Sequence, residues 1–211
     1  MKRIVFHIDP VSPFVHLAFM RLPEALAGCS VEVEIRPVLF AGLLKALGNK
    51  GPAEIEPKRQ WTFRHVAWLA QQHGIRLDVP AQHPFNPLPL LRLLLAAGAN
   101  RHHTGLVLRH VWEGGHDATD PARLAVLREA LAPQGLPRDP DGEAVKAELR
   151  ANTDAALAAG VFGVPSFELD GRVFWGLDAL PMVREAVLDG AWFDGPAWAA
   201  AGTPRLGVQR G

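Results

Sequence analysis

The sequence predicts an α/β protein in which a small sheet is interrupted by a large all-helical insertion. Three observations carry this. The chain opens as strand, helix, strand; it then runs for roughly 120 residues in helical patterns with no convincing strand; and it closes with a hairpin and a helix that resume the sheet.

Lys2 to Ile8 is the first strand, with Ile4, Val5, Phe6 and Ile8 in one apolar run. A polar turn, Asp9-Pro10-Val11-Ser12-Pro13-Phe14, ends it and opens a helix: Ser12 has an N-cap side chain and Pro13 the φ of a first helical position. Leu17, Leu22 and Leu26 share one face of that helix, and Gly28 lies near its end. Val31 to Val38 alternates as a second strand, Val31, Val33 and Ile35 against Glu32, Glu34 and Arg36, and a βαβ start favours parallel pairing. Helices are then expected over Ala41–Leu47, Lys58–His73, Leu88–Gly98, His102–Trp112, Pro121–Leu131 with Asp120 as N-cap, and Glu143–Ala159. Ser166–Leu169 and Arg172–Trp175 form a hairpin around Asp170-Gly171, a type I′ turn sequence, and a helix from Ala179 to Leu188 follows. Ala191 to Gly211, rich in Gly and Pro with two tryptophans, is expected to wrap the surface and then fray. The order βαβ, helical insert, ββα is that of a thioredoxin-like fold carrying a helical domain in its middle. Residues 1–39 and 160–211 would make the discontinuous sheet domain and residues 40–159 the insertion domain.

Composition excludes several functions. Lysine plus arginine equals aspartate plus glutamate at 22 each, so no long-range field recruits nucleic acid or an anionic membrane. Leu88 to Ala99 is broken by Pro89 and Arg92 and falls short of the ~20 residues of a membrane span. The apolar run after Lys2 and Arg3 is broken at His7 and Asp9, too early for a signal peptide, so a cytoplasmic protein is expected. Cys29 is the sole cysteine, which excludes an intramolecular disulfide, and it is expected to pack as a small hydrophobe. His102-His103, His110 and His116-Asp117 cluster in sequence, but adjacent histidines point apart and no His-Glu-X-X-His pattern occurs, so no metal site is expected. Trp61, Phe63 and Trp68 are expected in the core rather than as a stacking surface. Without a Gly-X-Ser-X-Gly elbow, Ser12 does not read as a hydrolase nucleophile.

In a thioredoxin-like fold the Ser12 turn stands where a Cys-X-X-Cys would sit. Ser12 has two readings: a helix cap only, or a hydroxyl that holds the thiolate of a bound ligand at a helix N-terminus. The same fold places a cis-proline loop opposite, at Gly163-Val164-Pro165-Ser166, where Val164 can offer its backbone to a peptide-like ligand.

Four motifs together resemble the 2-hydroxychromene-2-carboxylate isomerases, glutathione-dependent DsbA-like proteins close to the kappa-class glutathione transferases: Ile8-Asp9-Pro10-Val11-Ser12-Pro13-Phe14, Gly48-Asn49-Lys50-Gly51-Pro52 with Pro57-Lys58, Phe162-Gly163-Val164-Pro165-Ser166-Phe167, and Phe174-Trp175-Gly176-Leu177-Asp178. The resemblance spans residues 4 to about 188. It implies that Ser12 hydrogen-bonds the glutathione sulfur, that Asn49 and Lys58 reach glutathione and the substrate side, that Val164 before Pro165 pairs with the cysteinyl backbone, and that Asp178 with the Leu177 backbone holds the γ-glutamyl end. A lysine, helix-end N–H groups and one aspartate suit a ligand with two carboxylates and one ammonium. By the same resemblance the chain would be a homodimer with glutathione as cofactor and an aromatic 2-oxo acid as substrate. His7, Pro10, His16 and Leu177 depart from the family pattern; His16 either lines the substrate pocket or packs in the core. Two alternatives stand beside the isomerase: a kappa-like transferase or peroxidase using the same half-site, and a non-catalytic thioredoxin-like binding module.

Overall fold

A computed structural model describes residues 1–204 and residue 207. Strand β1 (Lys2–Ile8) is the hub of a four-stranded mixed sheet of order β2-β1-β3-β4. It pairs in parallel with β2 (Val31–Pro37), Phe6 opposite Ile35, and antiparallel with β3 (Ser166–Leu169), Phe6 opposite Phe167. Those two phenylalanines stack at 4.7 Å, joining chain segments far apart in sequence. The β3–β4 (Arg172–Trp175) turn has Asp170 and Gly171 both at positive φ, 51° and 74°, as a type I′ hairpin requires.

Helix α1 (Pro13–Ala25) connects β1 to β2 and buries Val15, Leu17, Ala18, Phe19 and Leu22. Between β2 and β3 the described residues contain helices and loops and no strand: α2 (Phe40–Ala46), α3 (Glu56–Gln72), α4 (Leu88–Ala97), α5 (Arg101–Trp112), α6 (Pro121–Leu131) and α7 (Glu143–Ala158). α4 buries seven of its ten residues, as a helix apolar all round must. Asn100 and Asp120 cap α5 and α6 through bonds of 2.9 Å from the His103 and Arg123 amides. One continuous core runs from Ile4, Phe6 and Ile8 in the sheet through Leu90, Leu94, Leu108 and Trp112 of the inserted helices to Phe167 and Val183. α8 (Leu180–Leu188) closes the chain order expected from sequence, preceded by a 3-10 turn over Leu177–Ala179.

One expectation is corrected. Trp61 and Trp68 are not in the core; they are 66% and 55% exposed. α3 buries Val66 and Ala70, and at 100° per residue Trp61 and Trp68 fall on a different stripe of the helix from these two. From Ala191 the chain lies mostly exposed on the surface in regular elements: Ala191–Asp194 forms a 3-10 turn and Pro196–Ala201 forms α9. Buried Phe193 anchors it, with Phe174 at 5.3 Å and Trp198 at 5.1 Å. The expected fraying of the last residues lies outside the described residues. No helix among the described residues is long and apolar enough to cross a membrane.

Candidate active site

The turn between β1 and α1 is held by side chains from three directions. Asp9 is fully buried; its carboxylate accepts the Val11 amide at 3.0 Å and, with its other oxygen, the Phe40 amide at the start of α2 at 2.9 Å. Its backbone carbonyl accepts the Ser12 amide at 3.1 Å. Burial pushes the Asp9 carboxyl up to about 7, against the opposing pull of those two amides. From the inserted helices, Trp112 donates its indole N–H to the Pro10 carbonyl at 2.9 Å, and His83 donates from Nε2 to the Val11 carbonyl at 2.8 Å. Burial holds the His83 ring below the ordinary histidine range, which favours this neutral form.

Ser12 thus sits at an N-terminus of α1 that is tied down by hydrogen bonds. Its backbone is extended, at φ −90° and ψ 120°, and its side chain caps no helix amide. Instead the hydroxyl donates to the Val164 carbonyl at 3.3 Å. That distance is long for an O–H···O bond, so the proton is weakly held and free to turn to a better acceptor. The Val164–Pro165 peptide bond is cis, as its position before β3 implies. Among the described residues the Val164 N–H has no partner.

From this point a groove of about 760 Å³ runs between α1, α3 and the start of α8. Val164, Pro165, Phe14, Trp175, Leu177 and Asp178 line it, together with Arg21, His73 and Arg184. Gly163 lets Trp175 close the wall: a Cβ there would stand 2.6 Å from the indole nitrogen. Of the residues singled out from sequence, Val164, Pro165, Leu177 and Asp178 line the groove, and Ser12 adjoins its wall through Val164. Asn49 and Lys58 do not. Both are exposed, Asn49 just beyond α2 and Lys58 in the first turn of α3. Lys58 lies two turns, about 10.5 Å, from His65 on the same face of α3, and His65 lines the groove.

The other histidines have structural partners. His16 is fully buried and bonds the Arg76 carbonyl at 2.9 Å, so of its two readings the packing one holds. His7, also buried, meets Glu168 at 3.2 Å. His103 and His110 bond the carbonyls of Gly98 and Ala118. Cys29 is half-buried against the core, 3.6 Å from the Arg184 guanidinium.

Comparison with known proteins bears on this geometry. Residues 3–188 match the model of the DSBA-like thioredoxin domain. The chain belongs to that family. Among relatives of this DSBA-like domain, a 2-hydroxychromene-2-carboxylate isomerase of Sphingobium xenophagum is 28% identical over 197 residues, covering 89% of this chain and 99% of the relative. Glutathione S-transferase kappa 1 of Rattus norvegicus is 24% identical, covering 95% of this chain and 94% of its own. A solved 2-hydroxychromene-2-carboxylate isomerase superposes with a TM-score of 0.76 at 23% identity, over 96% of this chain and all of that one.

Sequence reasoning missed Asp9, His83, Trp112 and His65. Asp9-Pro10 carries a turn signal, since an aspartate two residues before a free amide forms an Asx-turn. The contacts of His83 and Trp112 span 72 and 102 residues and leave no local signature.

Proposed function

We propose that this DSBA-like protein is a glutathione-dependent isomerase that interconverts 2-hydroxychromene-2-carboxylate, or a related cyclic hemiketal, with the open trans-benzylidenepyruvate type of 2-oxo acid. The observation that carries the reading is Ser12, a lone hydroxyl where a redox pair would stand, 3.3 Å from the carbonyl before a cis-proline and beside a groove sized for a small ligand. Glutathione would lie with its cysteinyl backbone on Val164 N–H and its γ-glutamyl ammonium toward Asp178 and the Leu177 backbone. The Ser12 proton then turns from the Val164 carbonyl to the sulfur, and with the α1 N-terminus it stabilises the thiolate.

The thiolate adds to the electron-poor double bond of the unsaturated 2-oxo acid. The resulting single bond rotates, and elimination returns the thiolate, with no net redox change. Lys58 would balance the substrate carboxylate and the developing enolate by turning its flexible side chain toward the groove. Asn49 would follow from the same side. The reading implies a cytoplasmic homodimer.

Ser12→Ala tests it: kcat/KM for isomerisation should fall about 100-fold, and wild-type activity should vanish without glutathione. Full activity of the variant would refute the mechanism. The likeness to the kappa transferase favours one second reading, a glutathione transferase, which releases a conjugate and consumes glutathione; isomerisation leaves glutathione at its starting concentration.

A further inference from the structure

Of the chain's nine histidines, His7, His16, His73, His83, His103 and His110 each have a ring nitrogen in a hydrogen bond. Two imidazoles line the groove, His65 and His73, and His73 is engaged by Arg21 at 2.6 Å. His65 is different. It is half-buried in the groove wall, and neither ring nitrogen has a hydrogen-bond partner among the described residues.

Its ring instead lies among aromatic side chains. Trp61 and Trp68, four residues before and three after, flank it with nearly parallel planes at 6.1 Å and 6.4 Å. Phe14, two residues past Ser12, meets it edge-on at 6.0 Å. An imidazole with no hydrogen-bond partner among the described residues, in the wall of the groove beside Phe14 and so near Ser12, is placed as a proton carrier.

We propose that His65 is a catalytic residue, the general acid–base for opening and closing the cyclic hemiketal; this rests on the isomerase reading above. Ring opening needs a proton moved in two directions. The hemiketal hydroxyl gives its proton to the imidazole as the C=O bond forms. The bond from that carbon to the ring oxygen breaks, its electron pair leaving on the phenolic oxygen. The imidazolium then protonates that oxygen, so His65 ends neutral and the proton count is unchanged. Thiolate addition and elimination act on the exposed open form and need no proton from His65. The charged and titratable groups that line the groove with this ring are Arg21 and Glu24 of α1, Asp178 before α8, Arg184 of α8 and His73 of α3, while Lys58 lies two turns away on the same face of α3.

Two substrates separate the steps. 2-Hydroxychromene-2-carboxylate must open; cis-benzylidenepyruvate, without the ortho hydroxyl, isomerises by thiolate chemistry alone. His65→Gln should lower kcat on the cyclic substrate about 100-fold and flatten its pH profile, while turnover of cis-benzylidenepyruvate and glutathione affinity stay within about twofold. Ser12→Ala should depress both substrates. The assignment is overturned if His65→Gln keeps cyclic turnover or loses both activities equally. Wild type inactive on both substrates would sink the isomerase reading instead. A readout without turnover covers that case: the imidazole proton resonances absent in His65→Gln should shift when wild type binds chromone-2-carboxylate with glutathione, and no shift overturns the role of His65.

Discussion

Asp9 makes the Ser12 turn sensitive to pH through stability. Its carboxyl titrates near 3.8 when unfolded and about 7 in the fold, because burial penalises the ionised form more than two amide bonds favour it. Between pH 4 and 7 the native state therefore holds a proton that the unfolded state has released. Asp9 contributes most below its unfolded value and that contribution is lost as pH rises toward 7, a change on the order of 4 kcal/mol. Burial shifts His7, His16 and His83 down, so these neutral rings act in the opposite direction, losing stability as pH falls below about 6.5. Comparison with Asp9→Asn isolates the carboxyl, since the variant has the same histidines. Urea unfolding from pH 4.5 to 7.5 should show the stability advantage of wild type over the variant shrinking as pH rises; a constant difference would mean that Asp9 is ionised throughout.

At the scale of elements, the insertion acts on the Ser12 turn through two bonds, from Trp112 at the end of α5 and from His83 in the loop before α4. Trp112→Phe keeps an aromatic ring but leaves the buried Pro10 carbonyl without its donor and opens a small cavity, a loss of about 2 to 4 kcal/mol. The Ser12 amide, bonded to the Asp9 carbonyl, should then exchange its hydrogen faster than the loss of global stability alone accounts for. Equal acceleration of Ser12 and the β1–β2 ladder would show that the indole stabilises the fold without holding the turn. These two contacts also mark where sequence reading ends. β1, β3, β4 and the capped α6 are legible because alternation, turn residues and caps are local. Ser12 and Val164 are legible because a helix-start turn and a proline at a strand entry mark them, whereas Leu177 and Asp178 come only from the resemblance to the isomerase family. The stripe of α3 that carries Trp61, His65 and Trp68 is not, because aromatic residues signal burial on average and only packing shows which face α1 covers. The placement of Lys58 outside the groove has the same cause: register along a helix says which residues share a face, not how far that face is from a ligand.

At the scale of the whole molecule, sheet and insertion are predicted to unfold together. The order along the chain suggests two domains, yet the core is continuous across the boundary: Ile8 and Ile35 of the sheet belong to the same apolar cluster as Leu43, Leu94 and Trp112 of the inserted helices. Separate unfolding would expose that shared surface on both parts, at about 25 cal/mol per Å² of apolar area, so partial states are penalised. The six tryptophans report on both parts, Trp61, Trp68 and Trp112 from the insertion and Trp175, Trp192 and Trp198 from the part after it. Fluorescence and far-ultraviolet circular dichroism should give coincident urea transitions. Leu94→Ala, a fully buried truncation in α4 within the shared core, should move both midpoints together by an amount equal to about 2 to 5 kcal/mol. Two resolved transitions, with Leu94→Ala shifting one of them, would instead mean that the insertion folds on its own and docks. In that case the bonds from Trp112 and His83 to the Ser12 turn would be a docking contact, and the geometry of that turn would depend on how the two parts close.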